Sequence, residues 1–159
     1  MKKIMLWMIG ILMMTFAVSC DDCDDCYSPN SNVEEVFYDY YPDAVNVEWY
    51  YVNGYSVADF DYYGQDMEAW FSNAGEWIYT KIEMEYTNLP IVVQESFMSS
   101  YYEYNIDDVE EIETSKYGSF YNIEVENDIE ELSLLYDETG ILLKVYANTL
   151  PYTWWEYFD

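Results

Sequence analysis

The chain has 159 residues, with 5 Lys or Arg against 32 Asp or Glu, a formal charge of −27 and 52% hydrophobic residues. A disordered chain of that charge would also be poor in apolar residues; this one is not, so it folds, at a length that suits one domain. It contains neither His nor Arg, which excludes Ser–His and Cys–His nucleophiles, His-ligated metals and bidentate Arg clamps on phosphate. Its acidity excludes a nucleic-acid backbone as partner.

The first residues read as an address. Met1-Lys2-Lys3 is basic, Ile4 to Val18 is apolar apart from Gly10 and Thr15, and Ala17-Val18-Ser19-Cys20 follows. A charged start, a short apolar run and small residues at a cut are the layout of a secretory signal, whereas a spanning helix wants about 20 apolar residues. The position of Cys20 resembles a bacterial lipobox, in which the Cys is lipidated and becomes the mature N-terminus. Ala17 departs from it, since a larger aliphatic is commoner there. Ordinary secretion and an uncleaved anchor are the alternatives. Cleavage before Cys20 leaves three lysines against 32 acids, a formal charge of −29. Multiple acylation of Cys20 would hold the protein to a membrane through lipid alone.

Residues 20–32 read as an acidic tether containing Cys20, Cys23 and Cys26. Cys23 and Cys26 have metal-ligand spacing, but a structural zinc site wants four N or S ligands, and only two thiols remain once Cys20 is acylated. A disulfide between Cys23 and Cys26 is the candidate pairing in an oxidising compartment, and idle thiols are the plain alternative. Acids directly after a lipidated Cys resemble surface-export signals of Gram-negative lipoproteins. The expected location is therefore the Gram-negative envelope, anchored to the outer membrane on its periplasmic or outer side.

From residue 33 the chain repeats itself at an offset of 65. Gly75 matches Gly140, Ile78 matches Leu143, Phe71 matches Tyr136, Met67 matches Leu132 and Ala58 matches Ile123. Asn53-Gly54, Gly64-Gln65-Asp66 and Asn73-Ala74-Gly75 punctuate one copy; Tyr117-Gly118, Asn127-Asp128 and Glu138-Thr139-Gly140 punctuate the other. Turns at such intervals between alternating runs mark antiparallel hairpins. Each copy reads as one helix followed by four strands. The first has a helix over 33–41, stopped by Pro42, then strands over 45–51, 55–62, 67–71 and 77–83. The second has a helix over 91–102 started by Pro90, then strands over 109–114, 120–126, 129–136 and 141–147. The division is 1–19 signal, 20–32 tether, 33–150 domain (copies 33–87 and 88–150) and 151–159 aromatic tail.

Asn-Ala-Gly-Glu-Trp-Ile at 73–78, Asn-Leu-Pro at 88–90, Tyr117-Gly118 before Phe120, and Leu-Leu-Tyr-Asp-Glu-Thr-Gly-Ile at 134–141 stand in an order that resembles the PepSY-like lipoprotein family. That family has the fold of beta-lactamase inhibitory protein. The resemblance covers about residues 33–148. It implies an α+β fold: two tandem α-β4 repeats forming one antiparallel sheet, with helices packed on one face. It also implies a binding role, since one member inhibits an enzyme by wrapping the sheet around it and many have no known activity. These are turn and strand motifs, which speak for fold more than for function.

Strand alternation sorts the side chains between a helix-covered face and an open one. Ala58, Phe60, Met67, Ala69, Phe71 and Ile78 are expected under the helix of copy one, and Tyr121, Ile123, Val125, Leu132, Leu134, Tyr136, Leu143 and Val145 under that of copy two. Tyr50, Val57, Asp59, Asp61, Glu68, Trp70, Trp77, Tyr79 and Lys81 are then left on the open face of copy one. Interfaces favour Tyr and Trp, which bury much area at little entropic cost. Tyr50, Asp59, Trp70, Trp77 and Tyr79 are therefore the candidate partner-binding residues. Plain structural cover is the alternative, because aromatics suit strands.

Other signals carry less. Asp59-Phe60-Asp61 begins like a calcium loop, but Tyr63 and Trp70 stand where an EF-hand needs an oxygen donor and a bidentate Glu. The pairs Asp107-Asp108, Glu110-Glu111 and Glu130-Glu131 could be glycosidase acids only if both carboxylates shared a face, which adjacent strand residues do not. Trp154-Trp155-Glu156-Tyr157-Phe158 is expected to dock on the sheet rather than act as a partner-binding strand. The reading is a non-catalytic envelope lipoprotein that binds a protein partner, in the family's manner an enzyme, through the open face. It needs no cofactor or metal. The alternative is a glycan-binding surface module with Trp70 and Trp77 as stacking platforms.

Overall fold

The computed structural model describes residues 27–157. The signal and the three cysteines lie outside the described residues. The elements run α1 (Ser31–Tyr40), β1 (Val45–Val52), β2 (Tyr55–Tyr62), β3 (Gln65–Ser72), β4 (Trp77–Glu83), a 3₁₀ turn at Tyr86–Asn88, α2 (Ile91–Ser100), β5 (Asn105–Thr114), β6 (Gly118–Glu126), β7 (Glu131–Asp137), β8 (Leu142–Ala147) and a 3₁₀ turn at Trp154–Tyr157. The eight strands form one antiparallel sheet in sequence order. This is the expected α+β fold.

Local chemistry explains most boundaries. Asn30 caps α1 by accepting from the N–H groups of Asn32 and Val33, which satisfies donors that a helix start leaves open. Pro90 serves at the start of α2, where no side chain caps. Asn53-Gly54 joins β1 to β2 with both residues at positive φ (49° and 100°), the type I′ arrangement that matches strand twist.

Both helices cover the same face. Val33, Phe37 and Tyr41 pack on Ala58, Phe60, Met67, Ala69, Phe71 and Ile82. Val93 and Phe97 pack on Val109, Tyr121, Ile123, Val125, Leu134 and Tyr136. Ile82, Glu111 and Tyr121 stand in register across β4, β5 and β6, so the two clusters lie on one side. Phe37 is fully buried among Phe60 (4.9 Å), Trp49 (5.2 Å) and Phe71 (6.2 Å), and a side chain so buried contributes about 1.5–3 kcal/mol. Strand turns meet the helix starts. Asn32 Nδ2 donates to Ala74 O at 2.8 Å, and Gly140 lies so close to α2 that a Cβ there would stand 2.5 Å from Val92 O.

Register corrects three of the expected placements. Between β3 and β4, Trp70 pairs with Tyr79 but Phe71 pairs with Trp77, so Ile78 is the extra residue of a bulge. A bulge flips the alternation beyond it. Trp77 therefore lies on the helix face, 5.2 Å from the Tyr40 ring, and donates Nε1–H to Thr80 Oγ1 at 2.9 Å. Ile78 turns to the opposite face. The same occurs 65 residues later: Leu135 pairs with Lys144 and Tyr136 with Leu142, leaving Leu143 to pack on the opposite face and Leu142 under α2. Val145 pairs with Leu134 on the expected face but is 40% exposed on the edge strand rather than buried.

Candidate functional site

The face opposite the helices is divided between rings and carboxylates. Val57, Trp70, Tyr79, Ile112, Phe120 and Leu135 form an apolar cluster there, joined by Leu150 and Trp154 from the end of the chain. Trp70 and Tyr79 stack at 5.4 Å with 18° between planes. Over them runs a strap, residues 150–157. Tyr152 stacks on Trp70 (6.1 Å, 4°), Trp154 meets Tyr79 (5.7 Å) and Phe120 (5.3 Å) edge-on, and Trp155 meets Tyr55 (5.5 Å). The aromatic tail thus docks on the sheet.

The strap changes the meaning of two candidate residues. Trp70 and Tyr79 lie on the expected face, yet they are 6% and 0% exposed because the strap covers them. Tyr50 and Asp59 are exposed on that face, and Trp77 is on the other one. The structure therefore brings Tyr50, Asp59, Trp70 and Tyr79 to one surface and separates Trp77 from them. Residues that sequence reasoning missed are Tyr55 beside Trp70 and the strap residues Leu150 and Tyr152. Tyr55 could have been found from the alternation of β2, since it shares parity with Val57 and Asp59.

Beside the rings lies a polar half. Lys81 donates to Glu110 at 3.1 Å, Asn122 donates to the other oxygen of Glu110 at 3.1 Å, and buried Ser133 donates to Asn122 Oδ1. Trp70 donates its indole N–H to Glu68 at 2.7 Å. Burial alone would depress the Lys81 pKa, but Glu110, Glu68 and Glu124 around it outweigh that and hold it above its ordinary value. Burial, and then the charge of Glu110, pushes Asp108 and Glu124 up. Glu124 also accepts the backbone N–H of Leu150, which pulls the other way and fastens the start of the strap. Asp59 is raised by partial burial and by its neighbours Asp66, Glu48 and Asp61.

An open cleft of about 770 Å³ at the strand ends is lined by Asp66, Glu83, Asp107 and Asp108 together with Met84 and Val109 of the α2-side cluster. Among the described residues no group of three or more His, Cys, Asp or Glu is arranged to hold a metal ion, and no helix is long and apolar enough to cross a membrane. The surface can do two things chemically: bury rings against rings, and attract positive charge to its carboxylates.

A family model of PepSY-like, beta-lactamase-inhibitor-like domains matches residues 50–144. The chain belongs to the PepSY-like family. A DUF2874 family protein from Bacteroides ovatus is 30% identical, with a TM-score of 0.72 over 76% of this chain and 89% of its own. A BLIP-like protein from Bacteroides fragilis is 28% identical, with a TM-score of 0.73 over 82% and 94%. A Bacteroides eggerthii protein described as a candidate periplasmic protein is 21% identical (TM-score 0.73 over 76% and 90%) and supports the fold alone. Among curated proteins no match was found. The family match ends before the strap, which begins after β8.

Proposed function

We propose that this PepSY-like protein is a non-catalytic envelope lipoprotein that binds a protein partner through the sheet face opposite its helices. One observation carries the reading. That face joins a cluster of Trp, Tyr and Phe rings to exposed Tyr50 and Asp59 and to the carboxylates around Lys81. Exposed Tyr is a residue that interfaces favour, and a carboxylate rim steers a basic partner. The family's likeness to beta-lactamase inhibitors supports a partner that is an enzyme. The glycan reading loses its support, because Trp70 and Trp77 stand on opposite faces and form no common platform.

Anchoring rests on the sequence: Cys20 follows Ala17-Val18-Ser19 as a lipidated Cys would. Metabolic labelling with an alkyne fatty acid should mark the wild-type chain and leave Cys20→Ala unmarked; label retained by the variant excludes lipidation at Cys20. The binding face is tested with a photo-crosslinking amino acid at Tyr50, and at Tyr38 on the outer side of α1 as control. In intact envelopes the Tyr50 probe should give a discrete, salt-sensitive adduct that the Tyr38 probe does not give. An adduct only from Tyr38 would place recognition on the helix side and overturn the reading.

A further inference from the structure

We infer that residues 150–157 are a displaceable occupant of the binding face, and that a partner segment bearing aromatic side chains takes their place. This rests on the face proposed above and names what it recognises.

The first ground is how the strap is attached. Strand pairing ends with Asn148, whose N–H reaches Glu131 O at 2.8 Å. Beyond it the strap joins no ladder among the described residues: Trp154 N–H bonds back to Pro151 O at 2.9 Å, and Leu150 N–H is held by the Glu124 carboxylate. Tyr152 on Trp70 and Trp154 on Tyr79 and Phe120 add ring contacts. Such a segment can leave without breaking a sheet hydrogen bond.

The second ground is where it sits. The rings it covers form a cluster of their own, distinct from the two under the helices. Removing the strap therefore uncovers Trp70, Tyr79 and Phe120 while α1 and α2 keep their packing. The third ground is imperfect closure: a cavity of about 70 Å³ remains beside Trp155, bounded by Ile78, Thr114 and Lys116. Leu150, Tyr152, Trp154 and Trp155 fill the face as interface anchors do, two or three rings in pockets and one backbone donor on a carboxylate. The strap is thus a template for its competitor: a short segment presenting Tyr and Trp about two residues apart, with a free N–H for Glu124.

The probe is a labelled synthetic peptide of residues 149–159, measured by fluorescence anisotropy against the full chain. The Trp154→Ala chain, whose seat is intact and whose strap is weakened, should bind it saturably and at least tenfold more tightly than the wild-type chain. Trp70→Ala added to that variant should abolish binding, and a peptide with both Trp replaced by Ala should not bind. Tyr152→Ala, which removes only the stack on Trp70, should fall between wild type and Trp154→Ala. Equal binding by wild type and Trp154→Ala, or none by a folded Trp154→Ala, overturns the inference. So does a Trp154→Ala chain that fails to fold, because the strap would then be part of the domain core. These outcomes concern the strap alone, while the Tyr50 crosslink reports on a partner whether or not the strap moves.

Discussion

On the helix side of the sheet, Phe37 and Phe97 are pinned by helices whose starts are tied to strand turns, Asn32 to Ala74 O and Val92 against Gly140. On the other side Trp154 is as deeply buried, at 1% exposed, yet the segment that carries it joins no strand ladder among the described residues. Equal burial therefore does not mean equal permanence. A cover that is covalently followed and preceded by ordered secondary structure can leave only if the fold opens. A cover that lies outside the ladder can leave at a free energy set by its own contacts.

Truncations give the largest effects and bear directly on that contrast. Phe37→Ala and Phe97→Ala should each cost about 3–5 kcal/mol, in a single denaturation transition, because both clusters stand on one sheet. Trp154→Ala should cost less than either, although Trp is larger, because the loss is capped at the free energy of docking the strap. A Trp154→Ala loss that matches Phe97→Ala in urea denaturation would erase the distinction between the faces.

The two tryptophans on opposite faces sharpen it. Trp77→Phe keeps most of the packing near Tyr40 and loses the bond to Thr80, about 1 kcal/mol, without altering the strap. Trp70→Phe loses the bond to Glu68 and part of the stack under Tyr152, and should speed proteolytic removal of the strap. If Trp77→Phe released the strap equally, the bulge at Ile78 would be misplaced.

A smaller effect comes from pH. Asp108, Glu124 and Asp59 on the strap side and Glu113 on the helix side all have folded pKa values raised above their ordinary ones, burial being the first cause. A carboxyl raised on folding holds its proton more tightly in the folded state. Its contribution is present at low pH and is lost as pH rises through the folded value. Lowering the pH from neutral towards the ordinary carboxylate range should therefore raise Tm, the reverse of ordinary acid denaturation, and relief of the net charge adds to it. Glu124→Gln and Asp108→Asn should flatten the rise. Asp137 is lowered by the backbone and Thr139 hydrogen bonds it accepts, so its stabilisation is lost only at lower pH.

The elements were largely legible because turns are written in single residues: Asn53-Gly54, Gly75, Pro90 and Gly140 punctuate the chain, and two-residue alternation fills the intervals. The site was legible only in part. Parity assigned Tyr50, Val57, Asp59, Trp70 and Tyr79 to one face correctly, then failed at Trp77, Ile78 and Leu143, because a bulge adds one residue without any composition of its own. Nothing in the strands showed that Trp70 and Tyr79 would be covered. That depends on where Leu150 and Trp154 reach, which is a matter of chain length after β8 rather than of local pattern.

Hydrogen exchange of the full chain tests the central contrast most directly. The Leu150 and Trp154 amides should exchange by a local opening, with protection at least about a hundredfold below that of the paired β2–β3 amides and insensitive to low urea, while the α1 and α2 amides over Phe37 and Phe97 stay closer to the sheet. Strap amides protected as strongly as the β2–β3 amides, and opening with them as urea is raised, would contradict the account.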